Sequence, residues 1–469
     1  MSKTFRPWKI DEPLLLPVTV ADFVAESHIA RFVLNVVRDE VDLCKITGSY
    51  GSEFGQPPFN PVMMTALLLY AYCSGIYSSR RIAKACGERV DFMSIVGLDV
   101  PDFRTISDFR KRHLKALSEL FKQVLLLCEK AGLVKLGHVA LDGTKLKANA
   151  SKHKAMSYGR MAERARDLEA EVAGWLSAAE AADAEEDKLH GHDKRGDEMP
   201  DWVADKQRRA EKIRQAKAEL EAEAKAAAEA ELKERAAAEA KREAEGRRKG
   251  GRKAAPPCPP DAKAQKNFTD PQSRVMKSKD GFVQAYNAQI AVDAEAQIIV
   301  AQDVTQSASD CAQLLPMTDA VEANLGRKPE QVSADAGYCS EENLAGLEAR
   351  TIDAYVATGR ARDAVAGTEK GEAAPAPSSA QPDETSTRIE AMRAKIKAGG
   401  HDSPYRLRKQ LPEPVFGQIK QARGFRQFLL RSFEKVRAEW ALVCTAHNLL
   451  KLANSRILSA ALQSALPAG

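Results

Sequence analysis

The sequence predicts an α/β sheet domain, preceded by an α-helical domain and split after its first strand by a long helical insertion. Three observations carry this. Two short apolar runs, Val139-Ala-Leu-Asp142 and Gln331-Val-Ser-Ala-Asp335, each end in a carboxylate and a glycine-containing turn, the pattern of a buried strand closing at a polar edge. Residues up to about 132 show helical periodicity and no strand signal. From about Met156 to Lys253 the chain turns to Ala, Glu, Lys and Arg, with few large apolar residues.

A chain of 469 residues exceeds the usual size of one domain, and 44% apolar residues is enough for a sizeable core. The 70 basic and 65 acidic residues leave a net charge of only +5, so any polyanion contact must come from local patches. Eight scattered cysteines without a Cys-x-x-Cys pair argue for a reducing setting and against a structural zinc site. The amino terminus lacks a signal-peptide core, and the apolar run from Met63 to Cys73 is too short to span a bilayer. The expectation is a soluble, cytoplasmic protein.

In the amino-terminal part, Ile29, Phe32, Val33, Val36, Val37 and Val41 line one face of a helix. Asn60-Pro61 caps the next helix, which Gly75 closes. A helix starts at Ser78-Ser79 and stops near Gly87. Pro101 to Thr105 leads into one long helix ending at Gly132, with Thr105 and Asp108 as a capping box. The basic cluster Arg110-Lys-Arg112-His113 suits a DNA-reading helix and equally an ordinary solvated face.

The alanine-rich tract is broken near Met199-Pro200 into two helical arms, read as a protruding hairpin. His190-Gly-His192 lacks further ligands and reads as loop. Beyond it, Tyr286–Val292 and Gln297–Asp303 form a strand hairpin. A helix follows at Ser309–Asn324, then the strand ending at Asp335, a helix from Ser340, and a strand at Ala354–Ala357. Residues 361 to about 400 are rich in Ala, Gly, Pro and Ser and read as flexible linker. The block from Tyr405 is helical, with His447 as a core or capping residue.

Alone, each of Asp142, Asp335 and Glu413 reads as a solvated or capping carboxylate. In sequence, strand with Asp, hairpin, helix, strand with Asp, helix, strand and helix with Glu match an α/β ribonuclease-H-like sheet. That fold gathers the three at one edge. Three carboxylates together require cations, and oxygen ligands favour Mg²⁺; two such ions would activate a water or 3′-hydroxyl and stabilise a departing oxygen. No phosphate-binding loop, nucleophile elbow or H-E-x-x-H motif competes.

At these residues the chain resembles the DDE transposases of bacterial insertion sequences, in the group with a Tyr-Arg-Glu-Lys signature. Leu141-Asp142-Gly-Thr144, Ala334-Asp335-Ala-Gly-Tyr338 and Glu413-Pro-Val-Phe-Gly-Gln-Ile-Lys420 are similar to the three carboxylate segments. Asp270–Lys277, Tyr286–Gln289, Arg437–Trp440, His447–Leu452 and the stretch from Pro61 to Arg110 also resemble family segments. Arg408 lies one residue farther from Glu413 than the signature has it, and prolines bracket Glu413. The resemblance implies Asp142, Asp335 and Glu413 as catalytic, metal-binding residues for Mg²⁺, as two ions, with Mn²⁺ able to substitute. It implies DNA contacts from Arg104, Arg110, Arg112, Arg274, Lys277, Tyr405, Arg408 and Lys420, and a homodimer on double-stranded element ends and target DNA. The expected organisation is a helical domain over 1–132 and a catalytic domain over 133–155, 266–358 and 401–458. An insertion fills 156–265, and a linker fills 359–400. Transposition is the expected function; a nuclease that cuts without joining and a catalytically inert DNA-binding protein are the alternatives.

Overall fold

The computed structural model describes residues 19–50, 57–151, 154–190, 201–244, 260–278, 281–358, 387–400 and 403–465. In chain order, the helical amino-terminal part contains α1 (Ile29–Asp39), α2 (Cys44–Thr47), α3 (Pro61–Cys73), α4 (Ser79–Glu88), α5 (Val90–Val96), α6 (Phe103–Arg112) and α7 (Leu114–Lys130). Strands β1 (His138–Lys147) and β2 (Ala155–Ser157) precede the long helices α8 (Tyr158–His190) and α9 (Asp201–Ala244). Then come β3 (Gln265–Asn267), β4 (Arg274–Ser278), β5 (Gly281–Asp293), β6 (Ile299–Thr305), α10 (Leu314–Leu325), β7 (Gln331–Ala334), α11 (Glu341–Ala349) and β8 (Asp353–Val356). The chain closes with α12 (Arg388–Gly399), α13 (Leu407–Gln410), α14 (Pro412–Gly417) and α15 (Phe433–Ala465). No helix among the described residues is long and apolar enough to cross a membrane.

The chain divides into two compact units: residues up to 146 with 287–430 and 434 onward, and residues 147–286 with 431–433. In the first unit, α3 is apolar all round and buried from Met64 to Cys73, as the centre of a helical layer must be. Asn60 caps it as expected, accepting from the backbone N–H groups of Val62 and Met63. The long helix expected from Thr105 to Gly132 is instead two, broken at His113, whose φ of −102° and ψ of 16° leave helical geometry. Its cap is Asp102, which accepts from the N–H groups of Arg104 (2.6 Å) and Thr105 (3.2 Å), rather than the Thr105–Asp108 pair.

The six-stranded sheet has the order β4–β5–β1–β7–β8, with β6 also paired to β5; β5 is antiparallel to both β4 and β6, and β1, β7 and β8 are parallel. The edge strand β6 is covered by α15. Asn448 accepts from Ile299 N–H and donates to Ile299 C=O, both at 2.9 Å, replacing a neighbouring strand. His447 Nε2 bonds the Gln297 carbonyl at 2.9 Å, and Lys451 reaches the Gln297 side chain at 2.8 Å. These three residues hold the hairpin turn, where Gln297 takes a φ of +58°.

Burial pushes His447 down to about 3. Its unfolded value is near 6.5, so stability is complete above that pH and falls as pH drops toward 3, by at most about 5 kcal/mol. His447→Gln should flatten the acid limb of stability measured by denaturant unfolding between pH 6 and 4; an unchanged slope would show that this histidine does not set it.

In the second unit, α8 and α9 pack through Met161, Ala165, Leu168, Ala210, Ile213, Ala216 and Leu220. They form the two arms expected from the sequence; residues 191–200, with His192, lie outside the described residues. Lys266, on β3, is buried and paired with Glu219 (2.6 Å) and Glu223 (3.0 Å) of α9. The expected linker over 359–400 does not extend to its end: α12 begins with a complete capping box of Thr387 and Glu390. Met392 buries, and Arg388 and Lys395 pair with Glu348 and Asp353. Most of that segment, 359–386, lies outside the described residues.

Candidate active site

Asp142 and Asp335 stand side by side because their strands are parallel neighbours in register. Ala140 of β1 pairs with Ser333 of β7, and each aspartate lies two residues farther on. Buried neighbours Val139, Ala140, Leu141, Val332, Ser333 and Ala334 fix both strands up to that point. Asp142 accepts from Gly143 N–H at 2.8 Å; Asp335 ends its strand and caps the following turn through Gly337 N–H at 3.2 Å. Burial pushes the Asp142 carboxyl up to about 6. The Gly143 N–H and the Arg408 charge oppose this, whereas Asp335 and Asp310 reinforce it.

Arg408 places a cation against this pair. Its Nη2 lies 3.3 Å from Asp335 Oδ2, and its guanidinium sits 6.0 Å from the Tyr405 ring. Burial raises the Tyr405 hydroxyl pKa, with Arg408 lowering and Asp335 raising it further. Lys420 donates to Thr144 Oγ1, two residues past Asp142, and lies 5.6 Å from the Phe416 ring. Tyr405, Arg408 and Lys420 are thus brought to the two aspartates by the 3₁₀ turn Pro404–Arg406, the short helices α13 and α14 and the π-helical turn Gln418–Ala422 that continues α14. Such π turns recur at functional sites.

Glu413 is placed differently. Pro412 occupies the first turn of α14, where its missing N–H costs nothing, and Glu413 follows as an exposed residue at the helix start. Among the described residues no three His, Cys, Asp or Glu side chains approach closely enough to share a metal ion. Asp142 and Asp335 are together; Glu413 is on the helix that Lys420 anchors, about 10 Å upstream along its axis.

A further carboxylate, Asp310, adjoins both motifs. It receives Lys145 Nζ at 3.1 Å and Gln289 Nε2 at 2.8 Å, and Asn287 also donates to it. In the sequence it lies inside the stretch read as the Ser309–Asn324 helix, with no motif around it. Only the placement of β5 beside β1 reveals it.

The remaining basic candidates divide. Arg104 and Arg112 are exposed on α6. Arg110 is not: it is 6% exposed, and its guanidinium donates to Tyr77 C=O (3.0 Å), Tyr72 (3.3 Å) and Ser79 (3.4 Å). The expected DNA contact from Arg110 is therefore corrected, since the α6 period turns it into the helical core. In the second unit, Lys277 is exposed on β4 and Arg274 pairs with Glu223 at 2.9 Å. There Asp270 is buried and accepts from Tyr286 at 3.0 Å and from Ser432 N–H at 3.3 Å, so those two family-like segments bind each other.

Comparison with family models finds two matches: residues 18–112 match a transposase domain (DUF772), and residues 258–449 match a transposase DDE domain. No curated protein and no solved structure matches the chain. Asp335, Glu413 and Lys420 fall inside the second match; Asp142 falls between the two, and its partnership with Asp335 rests on strand register. A DDE domain implies a ribonuclease-H-like fold, with which these helices and mixed sheet are consistent, and such transposases generally use divalent metals. The two transposase-domain matches, in this order, assign the chain to the DDE transposases of the insertion-sequence type.

Proposed function

We propose that the protein cleaves phosphodiester bonds at the ends of its element and joins the freed 3′-hydroxyl to target DNA in a divalent-metal-dependent reaction. The observation that carries this reading is the pair of parallel strand ends that sets Asp142 beside Asp335 with Arg408 against them. The donor set is all oxygen, which suits Mg²⁺ rather than zinc or copper. Asp142, Asp335 and Glu413 would hold the metal, which when bound supplies an activated hydroxyl and charge stabilisation for the leaving oxygen. The exposed start of α14 leaves Glu413 accessible to a cation that the two aspartates already attract.

The chain's own cations do the rest. Arg408 and Lys420 place positive charge and donors beside the aspartates, where scissile phosphates must lie, and such contacts position the backbone without reading sequence. Tyr405 joins them through its hydroxyl. Arg104 and Arg112 in the first unit, and Arg274 and Lys277 in the second, are the proposed wider DNA contacts, with the helical part over 1–132 as the end-binding domain and a homodimer as the working assembly.

The test is incubation of the full chain with duplex DNA from the flanks of its own coding sequence. Mg²⁺ should give nicked ends and strand-transfer products, and both Asp335→Asn and Glu413→Gln should reduce them to background while circular dichroism is unchanged. Nicks without joined products would make it a nuclease. Salt-sensitive binding with no metal-dependent cleavage would make it an inert DNA-binding protein. Cleavage retained by Glu413→Gln would remove Glu413 from the site.

A further inference from the structure

A directed chain of hydrogen bonds runs through the two aspartate-bearing turns. Tyr338, buried in the turn after Asp335, donates its hydroxyl to Gln289 Oε1, and Gln289 Nε2 in turn donates to Asp310 Oδ1 at 2.8 Å. Lys145, three residues past Asp142, reaches the two oxygens of Asp310 at 3.3 and 3.1 Å, and Asn287 Nδ2 also donates to it. Tyr338 fixes the orientation of the Gln289 amide, so every donor converges on Asp310, which as a carboxylate can only accept. Asp310 precedes a 3₁₀ turn, yet its side chain makes no capping bond to that turn; it is spent on the strands instead.

Asp310 also occupies the space beside the glycine that follows each aspartate. A Cβ on Gly143 would lie 2.7 Å from Asp310 Oδ1 and overlap the Gln289 amide, and a Cβ on Gly337 would lie 3.6 Å from Asp310 Oδ2. Glycine at 143 is thus required by close approach, not by backbone angle.

We propose that Asp310 is a positioning residue of the active site, the common acceptor that sets the separation of the Asp142 and Asp335 carboxylates. It acts through Lys145, Gln289 and Tyr338 and through contact with Gly143 and Gly337. The inference rests on the metal-dependent reading above.

The test measures Mn²⁺ affinity by calorimetry, and kcat and KM on duplex DNA, for the full chain and its variants. Asp310→Asn presents donors to a ring of donors. It should weaken Mn²⁺ binding on the order of 10–100-fold, as loss of partners behind metal ligands does, and lower kcat without changing KM for DNA. Asp310→Glu keeps the charge but moves it by one methylene and should remain impaired. Tyr338→Phe cuts the chain at its far end and should weaken Mn²⁺ binding severalfold, which carries the test if Asp310→Asn does not fold. Wild-type affinity and kcat in Asp310→Asn or in Tyr338→Phe, or full rescue by Asp310→Glu, would overturn the proposal while leaving an active wild type. A wild-type chain that neither binds Mn²⁺ nor cleaves would overturn the metal-dependent reading itself.

Discussion

Asp142→Asn should lower metal-dependent cleavage by at least about 10³-fold, a loss of about 4 kcal/mol of transition-state stabilisation, and yet stabilise the metal-free protein at neutral pH. The second half follows from the Asp142 carboxyl being pushed up to about 6, first by burial and then by Asp335 and Asp310. The unfolded chain has an ordinary carboxyl near 3.9. Between about pH 4 and 6 the folded state holds a proton that the unfolded state has released, so this group lowers stability as pH rises through that window. Above pH 6 both states are charged and the cost is complete, at most about 3 kcal/mol and smaller because Asp142 is only half-buried. Asparagine keeps an acceptor for Gly143 N–H and carries no charge. In chelator, the variant should therefore exceed wild type in unfolding free energy at pH 7.5 by about 1–3 kcal/mol, with the gain vanishing near pH 4. Mn²⁺ should then stabilise wild type more than the variant. A gain that grows as pH falls would contradict this account of Asp142.

The sheet was legible because its strands carry local signals. Val139-Ala-Leu and Gln331-Val-Ser-Ala are short apolar runs closed by turns, and both form strands where expected. The hairpin of β5 and β6, the Asn60 cap and the Ser340 cap were legible for the same reason. What escaped depends on residues far apart in sequence. Asp310 gains its role only when β5 lies beside β1. Arg110 belongs to a basic run in sequence, but the turn of α6 separates it from exposed Arg112 and points it toward Tyr77 and Ser79. The α6–α7 break at His113 also gave no local sign: no proline or glycine marks it, and Tyr50, bonded to the ring at 3.1 Å, is 63 residues away. Composition misled at α12, whose capping box and single buried methionine follow an alanine- and proline-rich stretch.

Arg110→Ala should be among the most destabilising substitutions in the helical layer, because it strands the buried acceptors its guanidinium serves and removes a positive charge that favours a buried carboxylate. Glu439 of α15 is 0% exposed; its Oε2 accepts from Leu429 and Leu430 N–H, both at 3.0 Å. Burial raises its pKa, and those N–H groups, the Arg110 charge and the Tyr72 hydroxyl hold the ionised form against it. Arg110 Nη1 in turn bonds Tyr72 and the Tyr77 carbonyl, and Tyr77 donates to Arg423 C=O at 3.1 Å. Gly75 belongs to the same junction: its φ of +73° and a Cβ that would lie 2.7 Å from Arg423 C=O admit glycine alone. Leaving a buried acceptor without its donor costs about 1–3 kcal/mol, and Arg110 serves the Tyr77 carbonyl together with the Tyr72 and Ser79 hydroxyls. The expected result is therefore a large loss of unfolding free energy for Arg110→Ala, measured beside Glu439→Leu and the double variant. A loss in the double variant equal to the sum of the two single losses would mean that the two residues act independently. The loop from Leu429 to Ser432 follows the helix that carries Glu413 and Lys420, so the single variant should also weaken cleavage beyond its effect on folding, read as a lower kcat at a temperature where the protein remains fully folded. A cluster built only for stability would leave kcat unchanged there.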